Sequence, residues 1–127
     1  HEWCFYGWRE GAAHVFLGPN NIPDVWPVKK VNPQSMVHLT EKPVELAVRA
    51  MQYSSRPGER VLDLFGGSGS TLIAAEQAER RALLMELDPL YCDVIVKRWE
   101  EFTGRKAERA PTEIGDGVTD RRQGADE

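Results

Sequence analysis

The chain has 127 residues, 41% of them hydrophobic and 28% charged, which is enough for one domain with a modest core. Its formal net charge of −4 excludes the strongly basic surface expected of an autonomous DNA-binding module. The two cysteines, Cys4 and Cys92, are far apart and form no C-x-x-C pair, which indicates buried thiols in a reducing compartment. No apolar run approaches the roughly 20 residues of a membrane span and no signal peptide is present, so we expect a cytoplasmic protein without a membrane partner.

Aromatic residues crowd the start of the chain, where three of the four tryptophans lie within the first 26 positions. Residues 3–6 and 12–17 are predicted as the two strands of an antiparallel hairpin, and residues 24–28 as a short edge strand. These aromatics could stack on bases, but packing a hairpin onto a core is the commoner use of such side chains. A chain that begins inside a hairpin-like pattern also indicates a piece of a longer protein.

A helix is predicted next, with Thr40 as its N-cap and Pro43 in its first turn. Its apolar face recurs at helical spacing and consists of Val44, Ala47, Val48 and Met51. A Pro-Gly turn then leads into a strand, which places the start of the helix near the far end of that strand. His38, Thr40 and Lys42 are therefore candidates to lie beside a ligand, although a solvated lysine is the commoner arrangement at a helix start.

The central stretch combines a strand, a glycine-rich turn and a helix start. The strand run at residues 61–65 is apolar except for Asp63, and glycines follow at positions 66, 67 and 69. Ser70 or Thr71 can then cap the helix. This order is typical of a nucleotide-type site, because free N–H groups and the positive end of the helix face the ligand.

The residues around this turn narrow the choice of ligand. A phosphate-binding P-loop needs a lysine that is absent between Lys42 and Lys97, and the third position of the dinucleotide fingerprint is Leu72. Asp63 would repel a pyrophosphate but can pair with an ammonium group. Glu86 ends a second apolar run about 20 residues further on, at the spacing of a ribose-binding acid. A ribose and a cationic amino-acid end without phosphates describe S-adenosyl-L-methionine, and the alternative is a glycine turn in an ordinary α/β domain.

A third helix is predicted after this acid, with Asp88 as its cap, Pro89 near its first position and Gly104 at its end. Its predicted buried stripe consists of Tyr91, Val94, Ile95, Arg98, Trp99 and Phe102. Residues 105–127 mix charges with Pro, Gly, Thr and Gln, which predicts a disordered tail.

Three motifs in this order make the chain resemble the C-terminal part of a permuted, β-class-like DNA amino-methyltransferase of the phage and prophage type. They are His38-Leu-Thr-Glu-Lys-Pro43 before the cofactor strand, Asp63-Leu-Phe-Gly-Gly-Ser-Gly-Ser-Thr71 at the turn, and Glu86-Leu-Asp-Pro-Leu-Tyr91 after it. The N-terminal aromatic region resembles the hairpin that such enzymes carry downstream of their catalytic loop. The family transfers a methyl group from S-adenosyl-L-methionine to adenine N6 or cytosine N4 in DNA.

The resemblance implies a partial Rossmann-like α/β fold, with parallel strands, flanking helices and the N-terminal antiparallel hairpin. Residues 1–104 would be the cofactor-binding portion, with the hairpin region at 1–34 and the βα units at 35–104. Residues 105–127 would be the tail.

The resemblance also implies a set of cofactor-binding residues. Glu86 would bind the ribose hydroxyls, Leu87 would border the adenine, and Asp63 would lie near the ammonium group. Thr40 and Lys42 would approach the methionine end. The full set is Asp63, Phe65, Gly66, Gly67, Ser68, Gly69, Ser70, Thr71, Glu86, Leu87, His38, Thr40, Lys42 and Pro43, and no metal is expected.

The chain departs from the family in lacking its catalytic motif, an Asp or Asn followed by two prolines and an aromatic, which holds the flipped base. The lookalike at residues 88–91 opens a helix and has Leu90 where the second proline belongs. We therefore expect an active parent DNA methyltransferase and an inactive isolated chain, whose partners are DNA and a missing N-terminal half or companion chain. The alternatives are a catalytically incomplete cofactor-binding or interaction module, and a methyltransferase for RNA or a small molecule.

Overall fold

The computed structural model describes residues 1–30, 32, 34 and 41–111. In chain order the elements are α1 (Val44–Ser54), β1 (Arg60–Asp63), α2 (Ser70–Gln77), β2 (Arg81–Leu84) and α3 (Pro89–Thr103). β1 and β2 pair in parallel, with Arg60 opposite Arg81 and Asp63 opposite Leu84. Helix α2 connects the two strands, as a parallel pair requires. The predicted α/β arrangement of parallel strands and flanking helices is therefore confirmed.

The core lies between α1, α2 and one face of the two strands. Its centre is formed by Met51, Ala74 and Ala75, the last two almost fully buried. The partly buried residues packed around this centre are Val44, Ala47, Val48, Val61 and Ala82. The predicted apolar face of α1 is thus confirmed, and the small alanines of α2 let this helix approach both α1 and the strands closely.

The opposite face of the strands is exposed. Leu62 and Leu83 lie opposite each other in the register, and 63% and 53% of their surfaces are accessible. Alternation along each strand explains the contrast, because successive side chains point to opposite faces. None of the helices in the described part of the chain is both long and apolar enough to span a bilayer.

The three strands predicted near the N-terminus are wrong, because residues 1–30 contain no strand. The chain does reverse at residues 9–12, where Ala12 N donates to Arg9 O at 3.0 Å. Side-chain contacts hold the two arms in place of a backbone ladder: the Trp8 and His14 rings stack at 4.2 Å. A two-stranded hairpin needs packing against a core to be stable, and here the aromatic side chains of residues 3–8 are mostly exposed.

The ends of β1 and β2 and the start of α2 also differ from the prediction. β1 ends at Asp63, so Phe65 stands outside the strand, and β2 ends two residues before Glu86. The N-cap of α2 is Gly69, with φ at +79°, and the hydroxyls of Ser70 and Thr71 make no cap hydrogen bond. Serine and threonine hydroxyls can make hydrogen bonds to other groups instead of capping a helix. Here Ser70 and Thr71 bond to neighbouring segments.

The start of α1 is only partly described. Pro43 occupies the N-cap position, and within the described residues no side chain makes a cap hydrogen bond to this helix. The predicted cap Thr40, and His38 before it, lie outside the described residues.

The boundaries of α3 are confirmed. The Asp88 carboxylate accepts a hydrogen bond from Leu90 N, Pro89 opens the helix, and Gly104 ends it with φ at +70°. The predicted buried stripe is only partly correct, since Ile95 is buried but Phe102 is 49% exposed. Phe102 lies in the last turn of α3.

The segment after α3 folds back and contacts both α2 and α3. Arg105 pairs with Glu76 at 2.7 Å, and the backbone N–H of Ala107 donates to Glu100 at 2.9 Å. The first residues of the predicted disordered tail therefore make defined contacts with the helices. Residues 112–127 of the predicted tail lie outside the described residues.

Candidate functional site

The glycine turn between β1 and α2 is held against the end of β2. Gly66 N donates to Met85 O at 2.8 Å, and Gly69 N donates back to Gly66 O at 2.8 Å. Gly67 has φ at +54° and Gly69 at +79°, a region that L side chains rarely adopt. A Cβ on Gly69 would also lie 3.2 Å from two carbons of Ile95. The backbone path of this turn therefore requires glycine, and the turn seats directly on α3.

Asp63 joins the end of β1 to the start of α2 across the turn. One carboxylate oxygen accepts from Phe65 N at 3.0 Å, and the other accepts from the Thr71 hydroxyl at 2.6 Å. A carboxylate has about four acceptor positions. Asp63 therefore retains acceptor capacity at the mouth of the turn while it holds both sides together.

Glu86 holds the turn from the side of β2. Its carboxylate accepts from Gly67 N at 2.7 Å, and its other oxygen accepts from Leu87 N at 2.9 Å and Asp88 N at 3.0 Å. The first bond spans 19 residues of sequence and fixes the glycine turn to the start of α3. Two acids thus stand at the carboxyl ends of two adjacent parallel strands, the edge at which open α/β sheets bind ligands.

Two large apolar side chains flank these acids. Phe65 is 87% exposed and Leu87 is 97% exposed. Exposed apolar side chains beside two carboxylates provide a surface for an apolar ring system next to polar groups. The residues around the turn can therefore receive a ligand that has both polar and flat apolar parts.

The segment before α1 reaches the same turn. The Ser70 hydroxyl donates to the backbone carbonyl of Lys42 at 3.0 Å, and it lies 3.3 Å from the hydroxyl of buried Ser68. The ammonium group of Lys42 points to Glu2, and this hydrogen bond lowers the pKa of the Glu2 carboxyl. The structure thus brings the backbone of Lys42 to the site, while its charge pairs with an exposed acid.

Two residues of this site are not among the predicted cofactor-binding residues. Arg98 donates to the Ser68 carbonyl at 3.0 Å and pairs with Glu41 at 2.7 Å. A charged residue within the otherwise apolar stripe of α3 is the sequence signal that points to such a contact. The partner could not be inferred from the pattern, because it lies 57 positions earlier.

Curated relatives of this chain are named Type II methyltransferases. The Type II methyltransferase M.Cfr9I of Citrobacter freundii is 36% identical over 98 residues, which cover 76% of this chain and 32% of that protein. M2.DpnII of Streptococcus pneumoniae is 35% identical over 82 residues, covering 62% of this chain and 31% of that protein. The chain therefore spans about a third of the length of the curated relatives it matches.

The fold is shared with a solved structure of a protein bound to SAM. The crystal structure of the M1.HpyAVI–SAM complex aligns with a TM-score of 0.58 and 30% identity, over 67% of this chain and 43% of that chain. The described residues therefore form part of the Rossmann-like fold of SAM-dependent methyltransferases.

The family match includes the whole glycine turn and both acids. The DNA methylase family of N6/N4 methyltransferases matches residues 10–97, well over half of the sequence. The three motifs that carry the resemblance all lie within this span. The chain belongs to the DNA methylase family of N6/N4 methyltransferases.

Proposed function

We propose that this chain binds S-adenosyl-L-methionine at the glycine turn, as part of an enzyme that methylates adenine N6 or cytosine N4 in DNA. The observation that carries the proposal is the pair of acids at the carboxyl ends of β1 and β2, on either side of a turn that only glycine can follow. The relative M1.HpyAVI was crystallised with SAM. The family match to DNA methylases favours DNA over RNA or a small molecule as the acceptor.

The residues present fit this cofactor. Asp63 offers a carboxylate to its ammonium group, and Glu86 offers one to the ribose hydroxyls. Leu87 and Phe65 supply exposed apolar surface for the adenine and the methionine chain. When bound, the cofactor supplies an electrophilic methyl group on its sulfonium. The role of the turn is to hold and orient it, since proximity and alignment account for much of such a transfer.

Further binding residues belong to the same proposal. The backbone of the turn, Gly66 to Gly69, would wrap the cofactor, and Ser70 and Thr71 would support it from the first turn of α2. Lys42 and Pro43, together with His38 and Thr40, would close the methionine end. We propose residues 1–104 as the cofactor-binding portion and residues 105–127 as its tail.

We infer that the group acting on the target base comes from residues outside this chain. The sequence contains no Asp or Asn followed by two prolines and an aromatic. The exposed Leu62 and Leu83 on the free face of the strands are consistent with a covering polypeptide, because apolar surface of this kind is normally buried. That polypeptide and this chain would form the active enzyme in the cytoplasm, and DNA would be its substrate.

The test has two independent parts. The full-length protein is here the parent protein, which contains this chain together with the polypeptide that carries the group acting on the base. Calorimetric titration of the full-length protein with S-adenosyl-L-methionine should give saturable one-site binding. Incubation with DNA and a cofactor carrying a labelled methyl group should give N6-methyladenine or N4-methylcytosine in the digested product. A folded protein that binds no cofactor refutes the site, whereas binding without base methylation refutes only the reaction.

A further inference from the structure

Arg98 is the charged group of α3 that lies against the glycine turn. Its guanidinium donates to the carbonyl of Ser68 at 3.0 Å and to the Ser68 hydroxyl at 3.1 Å. Its other terminal nitrogen pairs with Glu41 at 2.7 Å. The side chains of Arg98 and Glu41 are 22% and 5% exposed. This ion pair is therefore largely shielded from solvent, where screening by salt and water is weak.

The pair connects two segments that are distant in sequence. Ser68 is part of the glycine turn, and Glu41 directly precedes Lys42 and Pro43 at the start of α1. A second bond, from the Ser70 hydroxyl to the Lys42 carbonyl at 3.0 Å, joins the same two segments. The segment before α1 is thus fixed to the turn at two places, and Arg98 provides the charged one.

The two halves of the turn are held by different groups. Gly67 is held by Glu86, on the side of β2, whereas Ser68 is held by Arg98 and, through it, by Glu41. Loss of the Arg98 contact should therefore loosen the side of the turn that faces the segment before α1. The contact between Gly67 and Glu86 does not depend on it.

We propose that Arg98 is a positioning residue, which sets the distance between the glycine turn and the segment before α1 through Glu41. This inference rests on the proposed cofactor site and assigns Arg98 to the methionine end of that site. Arg98 touches the cofactor in no step. Its planar guanidinium can donate to Ser68 and pair with Glu41 at the same time, which a lysine ammonium at that position does less well.

The test separates positioning from general support of the fold by using two ligands. S-adenosyl-L-methionine has the amino-acid end, and 5′-methylthioadenosine has the ribose and adenine without it. Arg98→Met should weaken the affinity of the full-length protein for the first ligand at least tenfold and for the second less than twofold. Glu41→Gln should show the same selectivity. The double variant should be no weaker than Arg98→Met, since the contact that Glu41→Gln removes is already lost in Arg98→Met.

Two further variants complete the design. Lys97→Met is the matched control, because Lys97 is the neighbouring residue of α3 and its ion pair with Glu101 is exposed; its affinities should equal those of wild type. Arg98→Lys keeps the charge beside Glu41 and should recover part of the affinity. This variant and Glu41→Gln provide the answer if Arg98→Met melts below the assay temperature.

Each outcome has one meaning. The positioning role is supported if Arg98→Met and Glu41→Gln lose affinity for S-adenosyl-L-methionine but not for 5′-methylthioadenosine, and if the losses of the two single variants do not add up in the double variant. Equal loss for both ligands, or affinities within twofold of wild type in Glu41→Gln and Arg98→Lys, overturns it and leaves the proposed function intact. Failure of the folded wild-type protein to bind S-adenosyl-L-methionine overturns both.

Discussion

Replacing Glu86 by Gln tests whether this acid holds the glycine turn as well as a ligand. The carboxylate accepts three backbone hydrogen bonds, one from Gly67 and two from the turn that leads into α3. Gln has a single acceptor oxygen and places an NH₂ group where the second oxygen was, so that two N–H donors face each other. The substitution therefore loses either the bond to Gly67 or the two bonds at the α3 side.

The expected magnitude follows from these bonds. A hydrogen bond to a charged group contributes about 1.5–3 kcal/mol. Glu86 is only partly buried, so that water can replace some of what is lost, and we expect a fall of about 1.5–3 kcal/mol in the free energy of unfolding. A lost ribose acceptor of similar strength corresponds to roughly 10- to 100-fold weaker cofactor binding, since every 1.4 kcal/mol is a factor of ten.

Urea unfolding followed by circular dichroism, with calorimetric titration of the cofactor, measures both quantities. Glu101→Gln is the control, because Glu101 is exposed and its ion pair with Lys97 spans 3.9 Å; it should change stability by less than about 0.5 kcal/mol. If Glu86→Gln matches wild type in both the urea midpoint and the cofactor affinity, the role assigned to Glu86 is refuted.

Three further substitutions test other parts of the structure. Gly69→Ala should lower the free energy of unfolding by about 1–3 kcal/mol, more than Gly104→Ala, because both have positive φ but only Gly69 lies against a neighbouring side chain; equal losses in urea unfolding would contradict the tight seating of the turn. Met51→Ala should cost about 2–4 kcal/mol in the same assay, and a loss below about 1 kcal/mol would mean that α1 is not part of the cooperative core. The hydrogen bond from Lys106, together with the N–H of Ala107, holds the pKa of the Glu100 carboxyl below its ordinary value. The contribution of this contact to stability is therefore present above the unfolded-state pKa and is lost as the pH falls through the folded-state pKa. Lys106→Gln should raise the Glu100 pKa in an NMR titration, and an unchanged value would exclude the contact.

The parts of the fold that were predictable from sequence depend on local chemistry. α3 begins at Asp88 and Pro89 and ends at Gly104, since capping and positive φ are properties of the residues themselves. The apolar face of α1 was also predictable, because helical periodicity directs it to the core. The glycine turn was predictable for the same reason, because positive φ at Gly67 and Gly69 is a property of glycine itself.

The parts that could not be predicted depend on partners elsewhere in the chain. The arms around Trp8 and His14 are rich in strand-forming residues, but such composition does not determine whether a neighbouring strand pairs with them. Ser70 is a good cap residue by type, yet its hydroxyl bonds to Lys42, a contact set by the tertiary fold. The pairing of Arg98 with Glu41 has the same origin.

The hydrogen bonds of the two acids bear on how the turn binds a ligand. Asp63 and Glu86 hold the turn by its own N–H and hydroxyl groups, so these contacts belong to the fold of the chain. A binding site whose groups are ordered beforehand loses less conformational entropy on binding than one that orders with its ligand. If either acid had been held only by the ligand, its replacement would reduce affinity and leave stability unchanged. Because each acid also fixes the backbone, a substitution that weakens cofactor binding through Asp63 or Glu86 should destabilise the fold as well, and the two losses should rise together across a series of variants.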